Sequence, residues 1–525
     1  MLPALALLTL AAAWAVSFSP FWLLALVPLA LLLGVGIWDV VQKRHSVLRN
    51  YPVLGHLRFL LEAIRPEMQQ YFIERDYDGR PFDRNTRSVI YERAKGIHGD
   101  KAFGTELDVE ASGYEYLEHS MHPELSTPEQ PRVMVGGPAC TQPYAMALLN
   151  VSGMSFGALS AHAILALSKG AKAGGFAHDT GEGGISPYHR EGGADLIWEI
   201  GSGYFGARTA DGDFDPSQFS DKAADPQVKC VELKLSQGAK PGLGGVLPGA
   251  KVSSQIAEIR GVPQGVACIS PAAHREFQTP RELVLFIARM RELAGGKPTG
   301  FKLCVGSRRE FLAVCKAMLA EGVTPDFIVV DGSEGGTGAA PLEFEDNIGM
   351  PLTQGLLTVH NALVGVGLRD RIRLGASGKV ARGTDIVKRI AQGADYTNAA
   401  RAMMMATGCI QAQKCHTNHC PVGVTTQDPK RYRALDVADK SKRVQRFQAA
   451  TVAEAQQIIA AMGMAGPHEL RPDLVHRRVS QRKVSSYTEL YRYLKPRELL
   501  AGPVEGWEAD WQEADPDTFR AVAGK

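Results

Sequence analysis

The distribution of hydrophobic residues sets the N-terminus apart from the rest of the chain. No charged residue occurs between Leu2 and Trp38, and this stretch is far longer than the roughly 20 apolar residues that one membrane-spanning helix needs. Turn-forming residues at Ser17–Pro20 interrupt it. The pattern therefore predicts two apolar helices, over about residues 2–17 and 21–38.

Basic residues follow the apolar stretch immediately, at Lys43, Arg44 and Arg49. The positive-inside rule then places the main body of the protein in the cytoplasm. A signal peptide would have a basic residue before the apolar stretch, and the sequence has none there. We expect a transmembrane hairpin over residues 1–42 of a multi-pass cell-membrane protein, with a signal peptide or a hairpin buried in a soluble domain as the alternatives.

A repeating pattern of a short apolar run, a glycine-rich turn and a helical stretch extends over residues 140–408. The clearest predicted strands are 147–151, 300–305, 327–330, 371–374 and 395–398. Predicted helices follow at 158–173, 308–321, 352–367 and 380–392. Alternating strands and helices form parallel βαβ units, and a series this long favours an α/β fold with a closed (β/α)8 TIM barrel. An open doubly wound sheet is the alternative, but no G-x-G-x-x-G follows a first strand.

These patterns divide the chain into four predicted segments. The hairpin of residues 1–42 is followed by a polar linker and cap region at 43–135, by a barrel with a cysteine-rich loop at 136–425, and by a helical C-terminal extension at 426–525. Within the extension, apolar residues recur at helical spacing across Ser441–Met464, which predicts a helix packed on the barrel.

The overall composition narrows the class of protein. A chain of 525 residues with 45% hydrophobic residues, 22% charged residues and 55 glycines is typical of a glycine-rich α/β enzyme. A net charge of +2 gives no reason to expect a nucleic-acid partner. Eight cysteines in so long a chain are too few for a disulfide framework, so free thiols in a reducing compartment are expected.

Three of those cysteines lie close together, with the spacing C-x5-C-x4-C at Cys409, Cys415 and Cys420. Thiolates in a short polar loop suit an iron–sulfur cluster. Three ligands indicate a 3Fe-4S cluster or a four-iron cluster with an open corner. Zinc is the rival, because His416 and His419 lie within the same run and Cys3His is a known zinc site.

Five further sequence motifs lie at the predicted strand ends: Ser152–Gly157, Thr180–Gly184, Lys234–Gly242, Asp331–Gly338 and Gly375–Gly378. The first could let a flat ring approach the backbone, because glycine has no Cβ. The second carries a carboxylate, and the third carries two cations and an amide suited to a small dicarboxylate. The last two present backbone N–H groups for a phosphate, the final one in a loop where barrels commonly bind it.

Taken in this order, the motifs resemble the FMN-binding synthase domain of the glutamate synthases over about residues 140–470. The matching stretches are Met154–Ser160, Gln237–Gly242 with Leu247–Gly249, Gly335–Gly338, Leu368–Arg371 and Cys409–Gly423. The resemblance implies a barrel that carries FMN beside a 3Fe-4S cluster. It implies an oxidoreductase that passes electrons from the cluster to FMN and reduces 2-iminoglutarate, formed from 2-oxoglutarate and ammonia, to L-glutamate.

The resemblance also implies roles for individual residues. The flavin contacts would be Ser152, Gly153, Lys302, Gly336, Ser377, Gly378 and Arg401. Lys302 would stabilise the reduced flavin anion from the electron-rich edge of the ring. The oxoacid carboxylates would be held by Lys234, Gln237, Lys240 and Arg260. Glu182 and Lys234 would be catalytic, with Glu182 handling protons, and the three cysteines would hold the cluster.

The chain also departs from the family pattern. It lacks the glutaminase domain and a dinucleotide fingerprint, so it resembles a stand-alone, membrane-tethered branch. Ser377-Gly378 stands where the family has two glycines, and Ile269–His274 replaces a proline-rich stretch. We expect a ferredoxin, a membrane redox partner or a separate reductase as electron donor, and free ammonia or a separate glutaminase as nitrogen source. A transferase that joins an amine such as methylamine to glutamate, and an electron-relay module without synthase turnover, are the alternative functions.

Overall fold

The computed structural model describes residues 1–97 and 99–520. It divides into two compact units, Met1–Asn85 and the part of the chain from Thr86 onward.

Two apolar helices begin the N-terminal unit. They are α1 (Leu2–Val16) and α2 (Leu23–Val41), joined through a short 3-10 turn at Pro20–Trp22. Within the described residues, Pro20–Val41 is the one helical segment long and apolar enough to cross a membrane, and α1 is shorter than such a span. Two helices are therefore present where the sequence predicts them, while a hairpin that spans twice stays a prediction.

The chain after α2 is tied back to that helix by Asp39, which is fully buried. Its carboxylate accepts a hydrogen bond from the backbone N–H of Val53 at 2.8 Å and lies 2.9 Å from Nε2 of His56. Short helices complete this region at Ser46–Asn50, Gly55–Met68 and Gln69–Ile73, and a further helix spans Arg84–Lys95.

Eight strands form a closed barrel. They are β1 (Leu149–Val151), β2 (His178–Asp179), β3 (Leu196–Ile200), β4 (Val228–Lys234), β5 (Thr299–Leu303), β6 (Phe327–Asp331), β7 (Arg373–Ser377) and β8 (Tyr396–Ala399). Each strand pairs in parallel with the next, and β8 pairs with β1. The predicted (β/α)8 barrel is confirmed.

A helix follows each strand. These helices are α3 (Ala161–Gly174), α4 (Pro187–Gly192), α5 (Pro216–Ala223), α6 (Pro280–Leu293), α7 (Arg308–Glu321), α8 (Leu352–Gly365), α9 (Gly383–Ala391) and α10 (Arg401–Ala406). Side-chain caps fix where several of them begin. The Ser160 hydroxyl accepts from the N–H of Ala163 at 3.2 Å, which satisfies an amide that has no partner within the helix.

The observed elements follow the predicted ones closely from β5 onward, and α7 has the predicted bounds. The hydrophobic pattern does not predict β2, β3 or β4. The first is only two residues long, and β3 and β4 carry Glu199 and Glu232 inside otherwise apolar runs. Side chains such as Ile197, Phe327 and Val329 fill the lower barrel.

The remaining elements surround the barrel. An antiparallel ribbon pairs Arg132–Val135 with Tyr144–Ala147, and a three-stranded sheet joins Glu115–Leu117 to Val475–Ser480 and Lys483–Ser486. The β4–α6 connection contains strands Val246–Leu247 and Cys268–Ile269 around helix Ser254–Arg260. Helix Leu342–Asn347 follows β6, and helix Pro429–Tyr432 precedes α11 (Val437–Ala461). Short helices Tyr487–Leu490, Glu498–Ala501 and Glu508–Glu513 end the described chain.

The long helix α11 packs directly on α3. A Cβ at Gly170 of α3 would lie 2.7 Å from the backbone oxygen of Ser441, so only glycine permits this approach. The apolar positions predicted to face the barrel, among them Val444, Phe447 and Val452, are fully buried. The C-terminal extension is therefore helical against the barrel, and it also supplies two strands of the outer sheet.

Candidate active site

Buried charges of both signs alternate across the C-terminal end of the barrel. The Lys302 ammonium on β5 lies 2.7 Å from Oε2 of Glu199 on β3 and 3.9 Å from Oε1 of Glu232 on β4. On the other side of Glu199, the Lys234 ammonium lies 3.9 Å from its Oε1 and 3.0 Å from Oε1 of Glu182. One network therefore connects Lys302, predicted to contact the flavin, with Glu182 and Lys234, predicted to be catalytic.

Three carboxylates meet beside Lys302. Asp179, Glu199 and Glu232 are buried, and each places an oxygen within 4.8 Å of the others. Burial, reinforced by the neighbouring Glu199 charge, raises the pKa of Asp179 to about 7. Burial also raises the pKa of Glu232 well above its ordinary value. Burial alone would lower the pKa of Lys302, but the surrounding carboxylates raise it well above its usual range.

Sequence reasoning missed Asp179, Glu199 and Glu232. A signal was present, because Glu199 and Glu232 are each the single carboxylate of their strand and both are buried. A buried charge needs a partner. That partner is Lys302 on β5, and the pairing of β3, β4 and β5 as neighbours brings it close.

Glu182 is held by two glycines. A Cβ at Gly245 would lie 2.1 Å from its Oε1, and a Cβ at Gly201 would lie 2.5 Å from its Oε2. Burial alone would raise the pKa of Glu182, but the charges of Lys234, Lys240 and Arg260 together outweigh burial and lower it. Glu182 is thus an ionised carboxylate, placed to exchange a proton with whatever binds above Lys234.

The predicted substrate residues surround this pair. Lys234 donates a hydrogen bond to Oε1 of Gln237 at 2.6 Å. Lys240 is buried and donates to the backbone oxygen of Ala339 at 3.2 Å. Burial, together with the like charge of Lys234, lowers the pKa of Lys240 to about 8. The geometry therefore brings Lys234, Gln237 and Glu182 into direct contact, with the Lys240 charge close by.

Arg260 lies deeper and is also buried. Its guanidinium donates to Oγ of Ser155 at 3.3 Å and to the backbone oxygen of Phe156 at 3.1 Å. It also lies over the Phe205 ring, with 5.1 Å to the ring centroid. A Cβ at Gly183 would lie 2.8 Å from Nη2 of Arg260, so the loop that carries Glu182 passes directly against this cation.

His274, at the end of the stretch that departs from the family pattern, also touches the site. Its Nε2 lies 2.8 Å from the backbone oxygen of Lys234, and its Nδ1 lies 3.2 Å from the Tyr204 hydroxyl. Burial lowers the pKa of His274 to about 4. A neutral imidazole therefore supports the end of β4 from behind.

The predicted phosphate loops form a second group. Oγ of Ser152 and Oγ of Ser377 lie 3.4 Å apart. Gly378 has φ +150°, and a Cβ there would lie 3.2 Å from the side chain of Leu352. A Cβ at Gly336 would lie 2.6 Å from Nε of Arg401. Glycine at positions 336 and 378 thus keeps side-chain bulk away from the ends of β6 and β7.

Gly153 lies between the buried carboxylates and the predicted flavin contacts. A Cβ at this position would lie 2.6 Å from Oε2 of Glu199 and 2.9 Å from Oδ2 of Asp179. The backbone after β1 can therefore approach the buried carboxylates only because residue 153 is glycine. This predicted flavin contact borders directly on the acidic residues.

The cysteine-rich loop follows α10. All eight cysteines are free thiols, and Tyr91 anchors the loop by donating to the backbone oxygen of Cys409 at 2.8 Å. Burial raises the pKa of Cys409 to about 12 and also raises that of Cys415. Burial acts the same way on Cys420, but hydrogen bonds from Thr425 outweigh it and lower the pKa of that thiol.

The three cysteines of the C-x5-C-x4-C run are all free, with Cys420 buried and Cys409 and Cys415 partly buried. Free thiols in one short loop can ligate either an iron–sulfur cluster or zinc.

Comparisons with known proteins agree with the motifs. The family model described as conserved region in glutamate synthase matches residues 127–465. A Bacillus subtilis protein named glutamate synthase large subunit-like protein YerD is 38% identical over 86% of this chain and 94% of its own length. An Archaeoglobus fulgidus protein named archaeal glutamate synthase [NADPH] is 32% identical over 68% of this chain and 65% of its own length.

Proposed function

Since the chain belongs to the glutamate synthase family, we propose that it is an FMN- and 3Fe-4S-dependent oxidoreductase. It forms L-glutamate by reductive amination of 2-oxoglutarate, with ammonia taken from solution or from a partner. The family supports a glutamate synthase-type activity and an oxidoreductase. The observation that carries the proposal is the contact of Lys234 with both Glu182, at 3.0 Å, and Gln237, at 2.6 Å.

The substrate end of the site fits a dicarboxylate. Lys234, Lys240 and Arg260 supply three cationic side chains, and Gln237 supplies an amide. Two substrate carboxylates need two opposite charges and fixed donors. Lys234 is already ion-paired with Glu182, so Lys240 and Arg260 provide the balancing charge. Glu182, ionised beside Lys234, accepts or returns the proton that the nitrogen centre exchanges.

The residues present also fit a flavin mononucleotide. Ser152 and Ser377 contribute hydroxyls 3.4 Å apart, and Gly378 leaves room where a Cβ would meet Leu352. Arg401 adds a partly buried cation. Burial lowers its pKa, but an arginine stays charged in proteins, so it can face a phosphate. When bound, FMN would supply hydride transfer to an electrophilic carbon, next to the positive charge of Lys302.

The cysteine loop supplies the ligands of a cluster. Cys409, Cys415 and Cys420 are free thiols in one short polar loop, which supports a 3Fe-4S centre with three cysteine ligands. Lys251 is buried and donates to the backbone oxygen of Ala158 at 3.0 Å. Burial lowers its pKa to about 8, while the charges of Cys415 and Cys420 favour its ammonium form. This ammonium would offset part of the negative charge of a thiolate-ligated cluster.

The proposed reaction needs an electron donor and a nitrogen donor. Electrons would come from a reduced ferredoxin or from a redox partner in the membrane, and nitrogen from ammonia or a separate glutaminase. The apolar segment Pro20–Val41 supports attachment to a membrane. The barrel would face the cytoplasm, where thiols stay reduced.

The direct test is turnover by the purified full chain. Protein prepared in detergent under anaerobic conditions is mixed with reduced ferredoxin, 2-oxoglutarate and ammonium, and glutamate and electron consumption are both followed. We expect one glutamate for each pair of electrons consumed. Lys234→Met should abolish this turnover. The matched control is Lys229→Met on the same strand, whose ammonium is 4.0 Å from Asp195, and it should retain it.

Two outcomes would contradict the proposal. Protein that contains both cofactors but consumes no electrons and forms no glutamate would be an electron relay or an inactive homologue. Amine transfer to glutamate without electron consumption would identify a transferase instead.

A further inference from the structure

The charges of the barrel interior do not balance. Three buried carboxylates, those of Asp179, Glu199 and Glu232, surround one ammonium group, that of Lys302, while Lys234 is ion-paired with Glu182. Two uncompensated negative charges in a site of low polarity carry a large desolvation cost. Such a site takes up protons or a cation instead.

The position of Glu232 indicates that a proton is the ligand. Neither of its carboxylate oxygens has a hydrogen-bond partner among the described residues, and the side chain is fully buried. The Lys302 ammonium, 3.9 Å away, is already engaged at 2.7 Å by Glu199. A protonated Glu232 is neutral and can donate to a neighbouring carboxylate, which removes both difficulties.

Among the three carboxylates, Asp179 is buried beside Gly153, one of the predicted flavin contacts. Its Oδ1 accepts from the N–H of Gly181 at 2.9 Å. Its Oδ2 faces Gly153, where an added Cβ would lie only 2.9 Å away. No side chain at residue 153 therefore separates Asp179 from the backbone that would contact the flavin.

We propose that Asp179, Glu199 and Glu232 form a proton-holding cluster, and that the Asp179 carboxyl gives up its proton when the bound flavin is reduced. This inference rests on the proposed function. The O–H bond of Asp179 breaks and its proton moves to the flavin, while two electrons arrive from the external donor. Asp179 is left as a carboxylate, stabilised by Lys302, until water reprotonates it.

The surroundings of Asp179 suit this role. The charged or titratable groups that face it are Glu199 from β3, Glu232 and Lys234 from β4, Lys302 from β5 and Tyr396 from β8. The two glutamates disfavour a third negative charge, and the two lysines oppose them. Burial, together with the Glu199 charge, outweighs the two lysines and raises the pKa of Asp179 to about 7, so the group can both hold and release a proton near neutral pH.

The experiment is redox-induced infrared difference spectroscopy on the full-length, flavin-loaded protein in water and in heavy water. We expect a carbonyl band of a protonated carboxyl that disappears on flavin reduction and shifts in heavy water. Asp179→Asn should lose this band while it retains flavin. Asp221→Asn, which alters an exposed carboxylate on α5, should keep it.

Four results would contradict the proposed role of Asp179 or the function on which it rests. If the unaltered protein binds flavin and its reduction changes no carboxyl band, the role of Asp179 is wrong while the proposed function stands. This measurement needs no variant. A band that persists in Asp179→Asn leads to the same conclusion. A stoichiometric divalent cation that is lost in Asp179→Asn would make the carboxylates a metal site. Purified full chain without flavin would overturn the proposed function itself.

Discussion

Lys302 and Glu199 form a buried ion pair inside the barrel, with 2.7 Å between Nζ and Oε2 and side chains that are 5% and 2% exposed. The two residues lie on β5 and β3, and β4 runs between them, so the pair connects strands that do not pair with each other. A charge in this position depends on its partner far more than a surface charge does.

Removing the cation should therefore destabilise the barrel. Lys302→Met leaves Glu199 buried without its closest counter-ion, which should cost about 3–5 kcal/mol of the free energy of unfolding. The double variant Lys302→Met/Glu199→Gln should recover most of that loss, because no unpaired charge remains. Denaturant unfolding of the four members of this mutant cycle measures the coupling. Equal stability of Lys302→Met and the unaltered protein would show that the pair contributes nothing.

Flavin binding should depend on Gly378. A leucine there would force a side chain against Leu352, 3.2 Å from the Cβ position, at a φ of +150° that side chains rarely adopt. Gly378→Leu should reduce the flavin content of purified protein from stoichiometric to undetectable, while its circular dichroism stays unchanged. Gly306→Leu is the control, because Gly306 is exposed, lies outside the predicted phosphate loops, and a Cβ there meets nothing within 4 Å. Full flavin retention in Gly378→Leu would exclude this loop as the phosphate site.

The cluster prediction is tested by metal content. Anaerobically purified protein should contain about three iron atoms per chain, as expected for three thiolate ligands on an iron–sulfur centre. Cys415→Ser should lose that iron and leave the flavin in place, because the phosphate loops belong to other parts of the barrel. Cys140→Ser, at a thiol outside the C-x5-C-x4-C run, should keep its iron. Stoichiometric zinc without iron would show that the three cysteines form a zinc site instead.

Substrate affinity should weaken at alkaline pH through Lys240. Burial and the like charge of Lys234 lower its pKa to about 8, so the ammonium is present below that pH and is lost above it. The KM for 2-oxoglutarate should then rise above pH 8, by up to about tenfold per pH unit for a single required charge. Lys240→Arg, which keeps its charge throughout, should remove the rise. A KM with the same alkaline rise in Lys240→Arg would assign the pH dependence to another group.

The membrane prediction concerns the N-terminal unit. The full chain should sediment with membranes and resist extraction by salt or alkaline carbonate, because Pro20–Val41 is apolar over 22 residues. A chain shortened to begin at His45 should be soluble. Release of the full chain by alkaline carbonate alone would instead indicate peripheral attachment.

Much of the architecture could be predicted from local sequence. The run that became β6 is apolar, β5 and β7 contain apolar residues, and a glycine follows each of these three strands, so strand and helix periods were readable without tertiary information. The same holds for α11, whose buried face repeats Val444, Phe447 and Val452 at helical spacing. The strand β2 was not predictable in this way, because His178 and Asp179 carry no strand pattern of their own and pair only through neighbours in the closed sheet.

The sequence by itself determined which chemical groups the protein has available: the three cysteines, the glycine loops and the cations of Lys234–Gly242. The sequence also determined that these groups follow successive strands. Because the C-terminal ends of parallel strands lie at one end of a barrel, the groups were expected there together. Only the tertiary structure decided that Asp179, Glu199 and Glu232 share one buried space with Lys302. Their charges act through distances between four neighbouring strands, and those distances exist only once β2 to β5 have paired in the folded sheet.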